Sequence, residues 1–216
     1  MLYTLIIQFL ILIFKIVFRI KVYGKKNIPK VGGFILASNH VSYLDPITLG
    51  VACPRKLNFM ARHDLFCNPL FSWFITILGA FPLKRDSYDS SALKEAIRRL
   101  KNGNALVLFP EGSRSINGIS NEPQPGIGFL VVKACVPVIP AFIRGTELVL
   151  PKGSKFIRLK TICVYFGKPR TFLYDEKLSR DRKAEGRQVS IERRLPYQSI
   201  ARTIMEDIRH LSCYPS

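Results

Sequence analysis

Four short apolar runs without a single charge set the architecture of this chain. They are GGFILAS at 32–38, ALVLF at 105–109, VPVIPAFI at 136–143 and TICVYFG at 161–167. Each is continuous rather than alternating, the pattern of a strand covered on both faces. Helical spacing separates them. Residues 43–52 read as a helix. Residues 91–102 place Leu93, Ala96, Ile97 and Leu100 on one face, with Gly103 free to end the helix, and 128–135 read as a third helix. Buried strands interleaved with helices predict an α/β fold: a single domain with a mostly parallel central sheet flanked by helices. At 216 residues there is room for one such core and a short appendage.

The appendage is N-terminal. Residues 1–18, MLYTLIIQFLILIFKIVF, hold one charge, Lys15, and Arg19, Lys21, Lys25 and Lys26 follow. Spanning a bilayer takes about 20 apolar residues, so this stretch either spans or lies shallowly as a half-inserted helix. No basic region precedes it and no small-residue cleavage site follows, which argues against a cleaved signal peptide. A core helix should show a polar face, and residues 5–14 offer only Gln8. Membrane contact is therefore expected, and the trailing basic cluster favours the cytoplasmic face and anionic lipid.

Charge supports that expectation. The sequence has 33 Lys and Arg against 15 Asp and Glu, a net charge of +18. Such a surface needs an anionic partner: phospholipid, nucleic acid or a phosphorylated metabolite. Residues 1–30 carry six basic residues and no acidic one, and residues 31–174 carry 18 and 8. The excess thus lies beside the apolar segment and in the domain body. The five cysteines form no CxxC pair, so reduced thiols are expected rather than disulfides or zinc.

Three units follow: a membrane-associated helix at 1–24, the α/β domain at 25–174, and a charged linker with an amphipathic helix at 175–216. In the last, Ile200, Ile204, Ile208 and Leu211 form one stripe that should pack on the domain. A second uncharged stretch, Leu65 to Leu83, reads equally as a buried core helix or a lipid-contacting surface.

The polar segments that carry chemistry sit at the ends of the apolar runs. Asn39-His40-Val41-Ser42-Tyr43-Leu44-Asp45 follows the first predicted strand, where α/β sheets usually place their sites. A histidine there can take a proton near neutral pH, and a carboxylate five residues on can fix its tautomer. Taken alone, such a pair is more often a structural hydrogen bond or helix cap. Phe109-Pro110-Glu111-Gly112-Ser113-Arg114-Ser115 follows the second strand. Gly112 permits close backbone approach, and Ser113 with Arg114 can bind phosphate; the bland alternative is a polar turn. Lys84 and Arg85 end the apolar stretch in GAFPLKR, by themselves a solvated basic turn, and VPVIP at 136–140 alone is a strand with prolines.

Together and in this order, the four segments resemble the glycerolipid acyltransferases. NHVSYLD matches that family's His-x4-Asp signature, and FPEGSRS matches its FPEGTRS block with one Thr-to-Ser change. GAFPLKR and VPVIP fall where the family keeps its other two blocks. The similarity spans roughly residues 20–170 and looks most like the bacterial and plastid 1-acylglycerol-3-phosphate acyltransferases. It implies acyl transfer from a thioester, of CoA or acyl carrier protein, to the hydroxyl of lysophosphatidic acid. His40 would be the general base and Asp45 would orient and charge-stabilise it. Lys84, Arg85 and Arg114, with Ser113 beside them, would hold the acceptor phosphate. Glu111 and Gly112 would shape the acceptor pocket, and the fourth block would line the site near the acyl chain. No cofactor, metal or covalent intermediate is implied, and no Gly-x-Ser-x-Gly elbow is present.

One segment departs from the pattern. The family often has basic residues shortly before a glycine after the FPEG block. Here the stretch is Asn121-Glu122-Pro123-Gln124-Pro125-Gly126. That leaves the acceptor open: glycerol 3-phosphate, another lysophospholipid or an aminolipid would serve the same chemistry. The reading from a different class is a non-enzymatic basic module for nucleic acid or anionic lipid. The dispersed charges and the lack of a nucleic-acid motif argue against a nucleic-acid partner.

Overall fold

The computed structural model describes residues 2–83, 90–114, 122–151, 153–154, 156–172 and 194–214. In chain order the elements are α1 (Leu2–Val17), β1 (Lys21–Tyr23), β2 (Phe34–Ser38), α2 (Asp45–Ala52), β3 (Leu57–Arg62), α3 (Pro69–Ile77), β4 (Ala80–Leu83), α4 (Ser90–Lys101), β5 (Ala105–Leu108), α5 (Gly126–Ala134), β6 (Val138–Arg144), α6 (Thr146–Val149), β7 (Cys163–Phe166) and α7 (Arg194–Ser212). One seven-stranded sheet runs β1-β7-β6-β2-β5-β3-β4. All neighbours are parallel except β6 and β7. The predicted α/β class with a mostly parallel sheet is what forms.

The uninterrupted apolar runs become the middle of the sheet. Every residue of β2 is buried, because alternate side chains enter opposite cores. Ile35 and Ala37 pack with α4, α5 and α7, while Phe34 and Leu36 pack with α1 and α2. Ala92, Ala96 and Leu100 are the buried stripe of α4, and Gly103, at φ +82°, follows its end. The C-terminal helix packs as expected, with Ala201, Ile204, Met205, Ile208 and Leu211 buried against the domain. Of the charged linker expected at 175–198, residues 175–193 lie outside the described residues, while 194–198 already belong to α7.

The chain path fixes where a site can form. From β2 it steps through α2 to β3 and through α3 to β4, then returns through α4 to β5 and through α5 to β6. Right-handed crossovers put helices on opposite faces when the direction of stepping reverses. The buried residues agree: α2 belongs to one core and α5 to the other. The crevice between the carboxyl ends of β2 and β5 is therefore the topological switch point.

Asn39, 1% exposed, closes the gap beyond the β2–β6 ladder. Its Nδ2 donates to the Ile143 carbonyl at 2.9 Å, and its Oδ1 accepts from the Ile143 amide at 2.8 Å. Asn39→Ala orphans both buried groups. The expected loss is about 2–4 kcal/mol, read as a lower urea midpoint at unchanged slope.

Two expectations about apolar segments need revision. The stretch 65–83 is not a buried core helix. Proline and Asn68 start α3 (the Asn68 side chain accepts from the Phe71 amide at 3.0 Å), no residue of α3 is buried, and Leu70, Phe71 and Trp73 stand exposed. Gly79, at φ +98°, ends it, and the remainder becomes the edge strand β4. The N-terminal segment is both a packed and an exposed helix. Phe14, with Ile7, Leu10 and Ile13, packs on the α2 side of the sheet, while Leu2, Leu5, Phe9, Leu12 and Ile16 form an outward stripe at helical spacing. Its 16 residues extend about 24 Å. Among the described residues no helix is long and apolar enough to cross a membrane. All five cysteines are free thiols.

Candidate active site

The residues after β2 turn sharply, and the turn is built around one carboxylate. Asp45 opens α2 and is fully buried. Its Oδ2 accepts the Val41 amide at 2.7 Å and the Ser42 amide at 2.8 Å, and lies 2.8 Å from His40 Nδ1. Its Oδ1 accepts the Thr146 hydroxyl at 2.6 Å. A carboxylate ringed by donors is an acceptor only, so the His40 Nδ1 carries the proton in this contact and Nε2 keeps its lone pair. The imidazole is 18% exposed, so this nitrogen can reach a substrate. The expected pair is formed, and its tautomer is the one a general base requires.

Neighbouring elements hold the ring, its backbone and the turn that carries it. Phe109 stacks on it with centroids 4.1 Å apart and planes 19° from parallel. Glu111, only 5% exposed, accepts the His40 backbone amide through Oε1 at 3.1 Å. The Ser42 hydroxyl donates to the Leu150 carbonyl at 3.0 Å, tying the turn to the segment after α6. Glu111 thus joins the two motif loops.

Gly112 sits at φ +67°, and a Cβ there would lie 3.0 Å from the Gln124 side chain, so glycine lets the FPEG turn close. Ser113 is exposed. Arg114 lays its guanidinium over the Tyr43 ring at 3.5 Å from the centroid, which brings a cation to the lip of the His40 turn. Lys84 and Arg85 lie outside the described residues; they follow directly on Leu83, the last residue of β4. The fourth block supplies β6, whose Pro140 pairs with Ala37, two strands' width from β3.

Asn39 and Phe109 stand at the head of the two predicted segments, whereas Thr146 lies outside every segment that the sequence singles out. Thr146 lies 101 residues beyond Asp45. It is placed by Gly145, whose φ of +100° and approach to the Thr161 carbonyl leave no room for a side chain. The only available signal was Gly-Thr directly after a buried strand.

The chain is similar to known proteins. A family model described as Acyltransferase matches residues 19–144. The 1-acyl-sn-glycerol-3-phosphate acyltransferase of Bacillus subtilis (strain 168) is 31% identical over 151 residues, 69% of this chain and 73% of that protein. A chloroplastic enzyme of the same description from Arabidopsis thaliana is 32% identical over 143 residues, covering 65% of this chain and 40% of the plant protein. This chain thus spans less than half of the plant relative. The crystal structure of the 1-acyl-sn-glycerophosphate (LPA) acyltransferase of Thermotoga maritima superposes with a TM-score of 0.71 at 27% identity, over 99% of this chain and 83% of that one. A site with His40 and Asp45 at the switch point, within a stretch that the family model covers, leads to one conclusion: the chain belongs to the acyltransferase family.

Proposed function

We propose that the protein acylates lysophosphatidic acid from an acyl thioester to give phosphatidic acid, a step of phospholipid biosynthesis. The observation that carries this reading is the buried Asp45 carboxylate 2.8 Å from His40 Nδ1, with the ring reaching solvent beside the FPEGSRS turn. The B. subtilis and T. maritima proteins, both described as acyltransferases of this acceptor, support the substrate.

His40 Nε2 takes the proton of the acceptor hydroxyl as its oxygen attacks the thioester carbonyl. The new C–O bond forms, the C–S bond breaks, and the imidazolium returns the proton to the departing thiolate. Asp45 stabilises the transient positive charge, and its other hydrogen bonds keep it from moving. Arg114, positioned on Tyr43, binds the acceptor phosphate with Ser113, and Lys84 and Arg85 are assigned to the same phosphate by the family resemblance. The donor is a thioester of CoA or acyl carrier protein, and the residues present require no resident cofactor or metal. The outward stripe of α1 rests on the membrane that holds acceptor and product, and the basic cluster after it faces the cytoplasmic leaflet.

A mixed-acceptor experiment tests the substrate. Purified protein receives one acyl thioester and equal amounts of lysophosphatidic acid, glycerol 3-phosphate and lysophosphatidylcholine, with products resolved by mass. Phosphatidic acid should dominate. Preferential acylation of either other acceptor would move the assignment to that lipid.

A further inference from the structure

Between α6 and β7, residues 150–162 read LPKGSKFIRLKTI. Three large apolar side chains in this loop stand in solvent: Phe156 at 82%, Ile157 at 57% and Leu159 at 74% exposed. Cations interleave with them in sequence at Lys152, Lys155, Arg158 and Lys160, and from Leu148 to Tyr174 there is no acidic residue. Leaving three such side chains in water is costly.

The loop is held rather than loose. The Leu150 carbonyl accepts the Ser42 hydroxyl of the catalytic turn, and the Arg158 amide donates to the Val149 carbonyl at 2.8 Å. The Ser154 amide donates to the Pro151 carbonyl, and the Phe156 amide to the Ser154 hydroxyl. At its far end the Ile162 amide donates to the Phe18 carbonyl at 3.1 Å, just past α1. One end therefore touches the His40 turn and the other the end of α1, where Ile16 and Val17 are also exposed.

We infer that residues 156–160 form a second membrane contact, in which Phe156, Ile157 and Leu159 enter the interface of an anionic bilayer while Arg158 and Lys160 pair with its head groups. Apolar residues interleaved with cations match a surface that is apolar inside and negative at its rim. A protein partner such as acyl carrier protein would satisfy the charge. It offers less to side chains as exposed as Phe156 and Leu159, and it gives no reason for the loop to be tied to the residue after α1. The contact would seat the catalytic turn at the lipid surface, so the lipid acceptor would reach His40 without crossing water. This inference rests on the lysophospholipid reading above for its purpose, and its test does not depend on turnover.

The chain has one tryptophan, the exposed Trp73, so Trp73→Phe with Phe156→Trp places a single reporter in the loop. Phosphatidylglycerol vesicles should shift its emission to the blue, and lipids brominated along the acyl chain should quench it. Phosphatidylcholine vesicles should give a weaker response, and Arg158→Ala with Lys160→Ala should weaken the anionic response. A second variant, Phe156→Ser with Ile157→Ser and Leu159→Ser, should lower turnover of vesicle-borne lysophosphatidic acid on the order of tenfold. It should leave turnover of a short-chain, water-soluble acceptor unchanged. An unshifted, unquenched reporter overturns the inference. So does equal loss on both acceptors, which would place the loop in the catalytic site. A defect confined to the acyl carrier protein donor, with quenching absent, would assign the loop to that protein instead. Quenching in a protein that transfers no acyl group would strike the functional reading and leave the membrane contact standing.

Discussion

Replacing His40 with alanine should abolish acyl transfer while the protein stays folded. General-base catalysis contributes about 10²–10⁴ in rate, and a ring that also carries the proton to the leaving group should fall at the upper end of that range. Rate constants for the variant should therefore drop by at least about 10³. The fold should tolerate the change. The ring is partly exposed, and without it Asp45 Oδ2 still accepts the Val41 and Ser42 amides and Oδ1 the Thr146 hydroxyl. The lost contacts are one hydrogen bond and the stacking on Phe109, a cost of about 1–2 kcal/mol. Turnover and a urea titration on the same preparation separate the two effects. Wild-type turnover in His40→Ala would remove His40 from the chemistry.

The second large effect belongs to Asp45, and it differs between two substitutions. Asp45→Asn keeps an oxygen for the two backbone amides but removes the negative charge, and its NH2 group can face the ring and impose the wrong tautomer. Turnover should fall by about 10²–10⁴ with little loss of stability. Asp45→Ala removes the acceptor altogether and leaves two buried amides and the Thr146 hydroxyl without their partner. Each such group costs about 1–3 kcal/mol, so this variant should be strongly destabilised as well as inactive. Thermal unfolding beside turnover distinguishes them. An asparagine variant that unfolds like the alanine variant would mean that the charge serves the fold; one that turns over normally would mean that the imidazolium needs no carboxylate. Thr146 tests the same arrangement from outside the motif. Thr146→Val should lower turnover by about 10-fold to 100-fold without altering substrate affinity, and Thr146→Ser should restore it.

The parts legible in sequence were those whose signal is local. The central strands β2, β5 and β6 are uninterrupted apolar runs because both faces are covered, and their positions followed directly. Asp45 could be paired with His40 because one turn of chain brings them together. Strands toward one side of the sheet were harder. Strand β3, LNFMAR, ends in charge and is buried only at its start, while β4 carries Pro82 and continues an apolar stretch that reads as one segment. That stretch changes from exposed helix to strand at Gly79, through a positive φ that hydrophobicity does not register.

Contacts distant in sequence were illegible for a different reason. Thr146 joins the site only because β6 lies beside β2, and its own neighbourhood offers no more than Gly-Thr after a buried strand. The contact between Glu111 and the His40 amide was equally hidden, since a side chain in a turn can point either way until the strands beside it are known. In the N-terminal helix the two readings of membrane and core were opposed, although the 3.6-residue period allows one apolar stripe for each.

The central claim is that His40 activates the lipid hydroxyl for direct attack on the thioester, with no acyl group ever carried by the protein. The measurement that tests it most directly uses a thioester with a labelled acyl chain. Stoichiometric enzyme is mixed with the donor alone, then with lysophosphatidic acid, and acid-quenched samples are divided into protein-bound and lipid-bound label. Wild-type protein should hold no label before the acceptor is added and should then pass it to phosphatidic acid in one phase, while His40→Ala should do neither. Label bound to the denatured wild-type protein in the absence of acceptor, in amounts approaching one per chain, would contradict the account.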